Sequence, residues 1–215
     1  MKKGLTEIIV VIDKSGSMGG EAEEVITGYS QFLDEQRKLP GEARVTLTLF
    51  DDTAHNILYT RADLRDAMKL NGDTYRAEGF TALLDAVGKT IDEVGTRLAN
   101  EADENRPEKV IFLVITDGQE NSSREYKLDQ IQEKIKHQEE KYQWEFVFMG
   151  STPEAFTGGK ATFGHRTSHS YAGQSAGQML GAAGNAVRCF RSGGTRDDVQ
   201  ASVAETATKD DVSKA

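Results

Sequence analysis

Two runs of this chain hold almost nothing but branched and aromatic apolar residues, and each leads to an aspartate. The first lies within Glu7–Asp13 and reads EIIVVID; the second, Val110–Ile115, reads VIFLVI and is followed by Thr116-Asp117-Gly118. Short apolar runs without alternation suit strands covered on both faces, the strands of parallel sheets flanked by helices. A face open to water would instead call for a polar residue at every second position. The expected fold class is therefore α/β, with a doubly wound, mainly parallel sheet and helices on both faces.

The segments between these runs carry the matching signals. Glu21–Leu39 places Ala22, Val25, Ile26, Tyr29, Phe32 and Leu33 at helical spacing and stops at Pro40-Gly41. Arg44–Phe50 alternates like a strand. Asp51-Asp52-Thr53 then predicts a turn and Ala54–Thr60 a returning strand, so one antiparallel strand is expected at the sheet edge. Arg61–Leu70 reads as a short helix and Asn71–Phe80 as a loop. Thr81–Asn100 carries the clearest helical stripe, Leu84, Val87, Ile91, Val94 and Leu98. Further helices are expected over Glu125–Tyr142, from Ser151-Thr152-Pro153, and over Gln174–Arg191, with strands at Glu145–Met149 and within His165–Tyr171. Beyond Ser192 the apolar periodicity fades. Residues 1–191 thus read as one domain and 192–215 as a flexible tail, with a helix as the alternative.

Composition excludes several classes of function. The 26 Lys and Arg against 35 Asp and Glu leave a net charge of −9 over 215 residues, with no basic stripe to follow a nucleic-acid backbone. A single cysteine, Cys189, forbids an internal disulfide and fits a reducing compartment. The apolar run after Lys2-Lys3 is too short for a signal peptide and lacks a cleavage site, and no segment is long enough to span a bilayer. A cytoplasmic protein that avoids membranes is expected.

Chemistry concentrates where the apolar runs stop. Asp13, Ser15 and Ser17 alternate in a glycine-rich loop, so one carboxylate and two hydroxyls send oxygens toward one small volume. Oxygen donors suit a hard divalent cation such as Mg²⁺. In doubly wound sheets, sites form at the carboxyl ends of strands where strand order reverses, and Asp13 and Asp117 both stand at such ends. Each residue also has a plainer reading. Asp13 and the serines suit a turn or cap, Thr81 a helix N-cap, and Asp117-Gly118 a common turn. Asp85 reads as a structural contact, Asp51 and Asp52 as a solvated hairpin turn, Trp144 as packing, and His165 with His169 as a surface loop rather than a metal pair.

Three segments taken together carry a resemblance: Asp13-Lys14-Ser15-Gly16-Ser17, Gly79-Phe80-Thr81-Ala82-Leu83-Leu84-Asp85-Ala86-Val87, and Ile115-Thr116-Asp117-Gly118. In order, spacing and placement the chain resembles the von Willebrand factor type A domain over roughly residues 5–191. That family has a Rossmann-like fold and a metal-ion-dependent adhesion site, DxSxS followed by a threonine and then by an aspartate after a later strand. The resemblance implies that Ser15, Ser17 and Thr81 supply hydroxyl oxygens to the ion, while Asp13 and Asp117 hold it largely through water. It implies Mg²⁺, with Mn²⁺ or Ca²⁺ as alternatives, and a protein partner whose Asp or Glu completes the coordination. It also implies no catalysis, and membership of a multiprotein assembly as in many intracellular relatives.

Enzyme readings meet specific obstacles. Neither GxxxxGK[ST] nor GxGxxG follows the first strand. An aspartate-nucleophile phosphatase needs a second acid two positions after Asp13, where Ser15 stands. No histidine accompanies Ser15 or Ser17 in a GxSxG setting. The expectation is a metal-dependent protein-binding module. A Mg²⁺-dependent phosphotransferase or hydrolase and a structural subunit with no ligand exchange are the alternatives.

Overall fold

The uninterrupted apolar run at the start of the chain becomes the middle of the sheet, because only there are both faces covered. A computed structural model describes residues 1–53, 55–164, 168–171 and 174–209. In chain order its elements are β1 (Lys2–Asp13), a short 3-10 segment (Gly16–Glu21), α1 (Ala22–Arg37), β2 (Glu42–Phe50), β3 (His55–Asp63), α2 (Leu83–Ala99) and β4 (Pro107–Thr116). They continue with α3 (Leu128–Tyr142), β5 (Glu145–Gly150), α4 (Pro153–Phe163), β6 (Ser168–Ser170), α5 (Ala176–Arg191) and α6 (Arg196–Lys209).

The six-stranded sheet has the order β3-β2-β1-β4-β5-β6. Every pairing is parallel except that of β3 with β2, which is antiparallel at the edge, as the short turn between them requires. Alternate residues of β1 divide the core. Ile8, Val10 and Ile12 pack toward α1, α5 and α6, whereas Ile9 and Val11 pack with α2, α3 and Phe163 of α4. From β1 the chain moves outward to β2 and β3, then returns through α2 to β4 on the other side of β1. Strand order therefore reverses between β1 and β4, whose carboxyl ends lie side by side with Ile12 paired to Ile115. Crevices of this kind are where doubly wound sheets place their sites.

The structure departs from the sequence reading in three segments. Residues 61–70 do not form a helix. β3 runs on to Asp63 past Arg61, which sits at φ 49°, and an irregular loop follows. Leu64, Ala67 and Leu70 are all buried, and their three-residue spacing imitates a helical stripe. Arg37 pins that loop by donating to the carbonyls of Leu64 and Ala67.

The segment read as a flexible tail contains α6. Val199 and Val203 of this helix are fully buried in the same core as β1. Thr195 and Asp198 cap its start through reciprocal hydrogen bonds, and Arg196 pairs with Glu145 at 2.8 Å. A stripe only two valines wide carries too little apolar signal to stand out among Ser, Thr, Ala and charge. Residues 210–215 lie outside the described residues.

His169 belongs to β6 rather than a surface loop, and its Nε2 meets Gln200 Oε1 of α6 at 2.7 Å. His165 lies outside the described residues. Among those described, no helix is long and apolar enough to cross a membrane.

Candidate metal centre

Asp13 ends β1 and turns the chain with its own side chain. Its Oδ1 accepts the backbone N–H of Ser15 at 2.7 Å, an Asx turn, while the Lys14 N–H keeps the ladder to Phe50 O at 2.8 Å. The 3-10 segment follows, with Met18 buried beneath it. This local geometry brings Ser15 Oγ and Ser17 Oγ to 3.2 Å from each other. Ser17 Oγ in turn donates to Asp117 Oδ1 at 2.7 Å across 100 residues of sequence.

Thr81 enters from the third side. The backbone at Gly118 has no side chain, and the methyl-sized space beside it is bordered by Thr81 Oγ1 and Asp13 Oδ2. A Cβ at Gly118 would lie 2.5 Å from the former and 3.2 Å from the latter. All five sequence-predicted residues, Asp13, Ser15, Ser17, Thr81 and Asp117, therefore meet at the carboxyl ends of β1 and β4. Asp13, Ser15 and Thr81 are buried, Asp117 is half-buried and Ser17 is exposed, so the cluster opens to solvent on one side.

Thr81 does not act as an N-cap, because α2 begins two residues later and its N-cap position is Ala82. The caps come instead from the loop after Asp117. Glu120 Oε2 accepts Leu84 N–H at 2.8 Å and Ser123 Oγ accepts Asp85 N–H at 3.0 Å. Asn121 Oδ1 accepts Thr81 N–H at 3.0 Å, and Asn121 N–H donates to Thr81 O at 3.1 Å. Asp85 returns the favour by accepting the N–H groups of Arg124, Glu125 and Tyr126. Two otherwise separate loops are thereby joined, and the Thr81 hydroxyl is fixed relative to Asp117.

A further set of residues supports the first loop. Lys14 and Asp51 form a buried ion pair beneath it, so Asp51 is not the solvated turn residue expected from sequence. The Tyr75 hydroxyl donates to Asp13 O at 2.6 Å, and Thr116 Oγ1 donates to Asp13 Oδ2. Asp52 Oδ1 accepts Phe80 N–H at 2.7 Å. Sequence reasoning did not single out Lys14, Tyr75, Thr116, Glu120 or Asn121. A lone tyrosine inside the polar run NGDTYRAEG and the cap-rich run EN-S-S after a strand end were the signals available.

Burial dominates the electrostatics. It pushes the Asp13 carboxyl up to about 6, against the lowering effect of hydrogen bonds from Thr116 and Ser15. Burial also raises Asp117, against the hydrogen bond from Ser17. Two anionic groups held in a poorly hydrated cluster form a site in need of a counter-charge. Among the described residues no group of three or more His, Cys, Asp or Glu is placed to hold a metal. The donor set at the strand ends is all oxygen, two carboxylates and three hydroxyls, which fits a hard divalent cation.

Comparison with known proteins agrees with this architecture. The family profile described as von Willebrand factor type A domain matches residues 7–152. A solved structure of a von Willebrand factor type A protein from Catenulispora acidiphila superposes with a TM-score of 0.50 at 12% identity, covering 94% of this chain and 42% of that one. Proximal thread matrix protein 1 from the mussel byssus superposes in two structures with TM-scores of 0.53 and 0.54, each at 15% identity over 93% of this chain and 46% of the other. The chain thus spans less than half the length of these proteins, and likeness at such identities speaks to the fold alone. No curated protein sequence matches the chain. Because the profile covers well over half of its residues, the chain belongs to the von Willebrand factor type A domain family.

Proposed function

We propose that this protein is a divalent-metal-dependent binding module for a protein partner, and that it carries out no catalysis. Domains of this family commonly serve protein–protein interaction. The observation that carries the reading is the meeting of five oxygen-bearing side chains from three separated loops at one solvent-open point. Ser15, Ser17 and Thr81 would hold Mg²⁺, Mn²⁺ or Ca²⁺ through their hydroxyls. Asp13 would do so through water, since its two carboxylate oxygens already accept from Ser15 N–H and Thr116 Oγ1. Asp117 would turn its carboxylate from the Ser17 hydroxyl toward the ion or its water shell.

With mostly neutral hydroxyls around it, a bound divalent ion keeps a strong attraction for an incoming anion, and an Asp or Glu of the partner supplies one. The protein's own part is to hold the hydroxyls in place before the partner arrives. The trans caps from Glu120 and Asn121 do this for Thr81, and the Lys14–Asp51 pair and Tyr75 do it for the Asp13 loop. Proton-transfer groups fitting an enzyme are not what surrounds Asp13; Ser15 stands where a phosphatase would need an acid. We also propose a cytoplasmic location, a place in a multiprotein assembly, and no nucleic-acid or membrane partner, from the acidic balance and the single cysteine.

The test is a thermal melt of the full chain in chelator and in millimolar Mg²⁺ or Mn²⁺, with Ser17→Ala beside it. Binding to the native state raises the melting temperature by mass action. The proposal expects a rise in the parent chain that Ser17→Ala, at an exposed position, reduces without altering the melt in chelator. Identical melts with and without ion would contradict it.

A further inference from the structure

Phe80 is 65% exposed, against 50% for Tyr142, and it is the sequence neighbour of Thr81. Isolated apolar residues on a surface need no explanation. This one differs in how firmly its backbone is held while its ring is left in water. Gly79 on one side sits at φ +73°, a conformation that side chains rarely adopt, and its carbonyl accepts Gly16 N–H at 3.0 Å. Phe80's own N–H is bound by Asp52 Oδ1 at 2.7 Å. Thr81 beyond it is tied to Asn121 at both its N–H and its carbonyl. Three successive peptide units are clamped, and the side chain they present is directed away from the core.

Beside Phe80 the loop residues next to the metal centre are small: Gly16, Ser17 and Gly79 are all exposed. A Cβ at Gly16 would stand only 3.3 Å from Gly79 O, so the two loops touch through glycine backbone. Such a floor lets another backbone come close. Asp52, Glu78 and Asp117 nearby are acidic, and Lys14 beside Glu78 is buried and paired with Asp51, so the exposed surface repels a carboxylate unless a cation stands between them.

We infer that Phe80 is the apolar anchor of the partner-binding surface, and that the partner presents an extended segment in which an Asp or Glu lies within two positions of a large apolar side chain. The acid would go to the metal centre and the apolar group to the Phe80 ring. This inference rests on the metal-dependent binding proposed above and adds the feature that gives it selectivity. Carboxylates are common on protein surfaces, whereas a carboxylate beside an exposed apolar residue is a much narrower target. Rigid aromatic residues are favoured as binding anchors because little freedom is lost when they are covered. In an extended segment, residues two apart share a face and lie about 7 Å from each other, which suits two contact points on adjacent residues such as Phe80 and Thr81.

The experiment pans a library of short random peptides with a fixed central Asp against the full chain in Mg²⁺, eluting with chelator. The best synthetic peptide is then titrated against the parent chain and Phe80→Ser, and Mn²⁺ binding to both is followed by electron paramagnetic resonance. The inference expects Phe, Trp, Tyr, Leu, Ile or Met to be enriched within two positions of the Asp. It expects Phe80→Ser to weaken the peptide by at least about tenfold, as for an interface anchor, with Mn²⁺ binding unchanged. Peptides with no apolar preference, equal affinity for Phe80→Ser, or no chelator-sensitive peptides from a chain that binds Mn²⁺ would each overturn the Phe80 assignment and leave the metal centre standing. A chain that binds no Mn²⁺ would overturn both.

Discussion

Replacing Asp13 with asparagine should stabilise the metal-free chain and remove its response to divalent ions. Burial raises the Asp13 carboxyl from 3.8 to about 6. At about 1.4 kcal/mol for each pH unit, keeping it ionised at neutral pH costs the fold about 3 kcal/mol. Asparagine has the same shape and no charge. Its carbonyl can still accept Ser15 N–H, and its amide can donate to Thr116 Oγ1, which now accepts Gly118 N–H at 3.0 Å and can turn its proton toward Gly118 O. Allowing about 1 kcal/mol for the weaker hydrogen bonding, Asp13→Asn should gain about 2 kcal/mol in chelator at pH 7.5. For a chain of this length that is a rise of about 4–8 °C in melting temperature.

The sign with pH is fixed by the direction of the shift. A carboxyl whose folded value is raised stabilises the fold in its protonated form, fully below its unfolded value of 3.8. That contribution is lost as pH rises through about 6. The advantage of Asp13→Asn should therefore shrink as pH falls from 7.5 toward 4. Divalent ion reverses the ranking: at a hundredfold excess over its dissociation constant it stabilises the parent by about 2.7 kcal/mol, and the variant by little. The assay is urea or thermal unfolding at pH 5 and pH 7.5, each in chelator and in Mg²⁺. A variant less stable than the parent in chelator at pH 7.5, or one with an undiminished Mg²⁺ response, would refute the reasoning.

Gly118→Ala should both destabilise the chain by about 1–3 kcal/mol, as overpacking does, and abolish Mn²⁺ binding, because its methyl group would enter the space between Thr81 Oγ1 and Asp13 Oδ2; melting and Mn²⁺ titration check the two effects separately. Asn121→Ala should lose about 1 kcal/mol or more from the unpaired Thr81 N–H and weaken Mn²⁺ binding, although Asn121 bonds only the backbone of Thr81 and not its hydroxyl; an unaltered affinity would show that Thr81 needs no such support. Val203→Asp should lower the melting temperature markedly, since a carboxylate would replace a fully buried methyl pair. An unchanged melt would restore the reading of 192–215 as a flexible tail.

The parts legible in sequence are those where one physical demand fixes the residue type. EIIVVID and VIFLVI had to be covered on both faces, and they became β1 and β4 at the centre of the sheet. The DDT turn could only return an antiparallel strand, and it did. Asp13, Ser15, Ser17 and Asp117 stood out as oxygen-bearing residues at strand ends, whereas Thr81 entered through the resemblance to the von Willebrand factor type A domain. The misreadings have a common physical origin. Leu64, Ala67 and Leu70 are buried by a loop pinned by Arg37, and nothing in their spacing distinguishes that from a helix. α6 is held by two valines together with long-range pairs from Arg196 and Gln200 to Glu145, which only tertiary structure reveals. Asp51 looked solvated because its counter-ion, Lys14, lies 37 residues away in sequence. The support around Thr81 was equally hidden, since Asn121 bonds Thr81 from 40 residues away and Glu120 bonds Leu84 from 36.

Crystals of the full chain soaked in Mn²⁺ offer the sharpest trial, through anomalous difference density. The account predicts one strong peak bounded by Ser15, Ser17 and Thr81, with hydroxyl oxygens at about 2.1–2.2 Å as for small hard cations, and with Asp13 and Asp117 around it. Density lying elsewhere, or none at these side chains in soaked crystals, would contradict it.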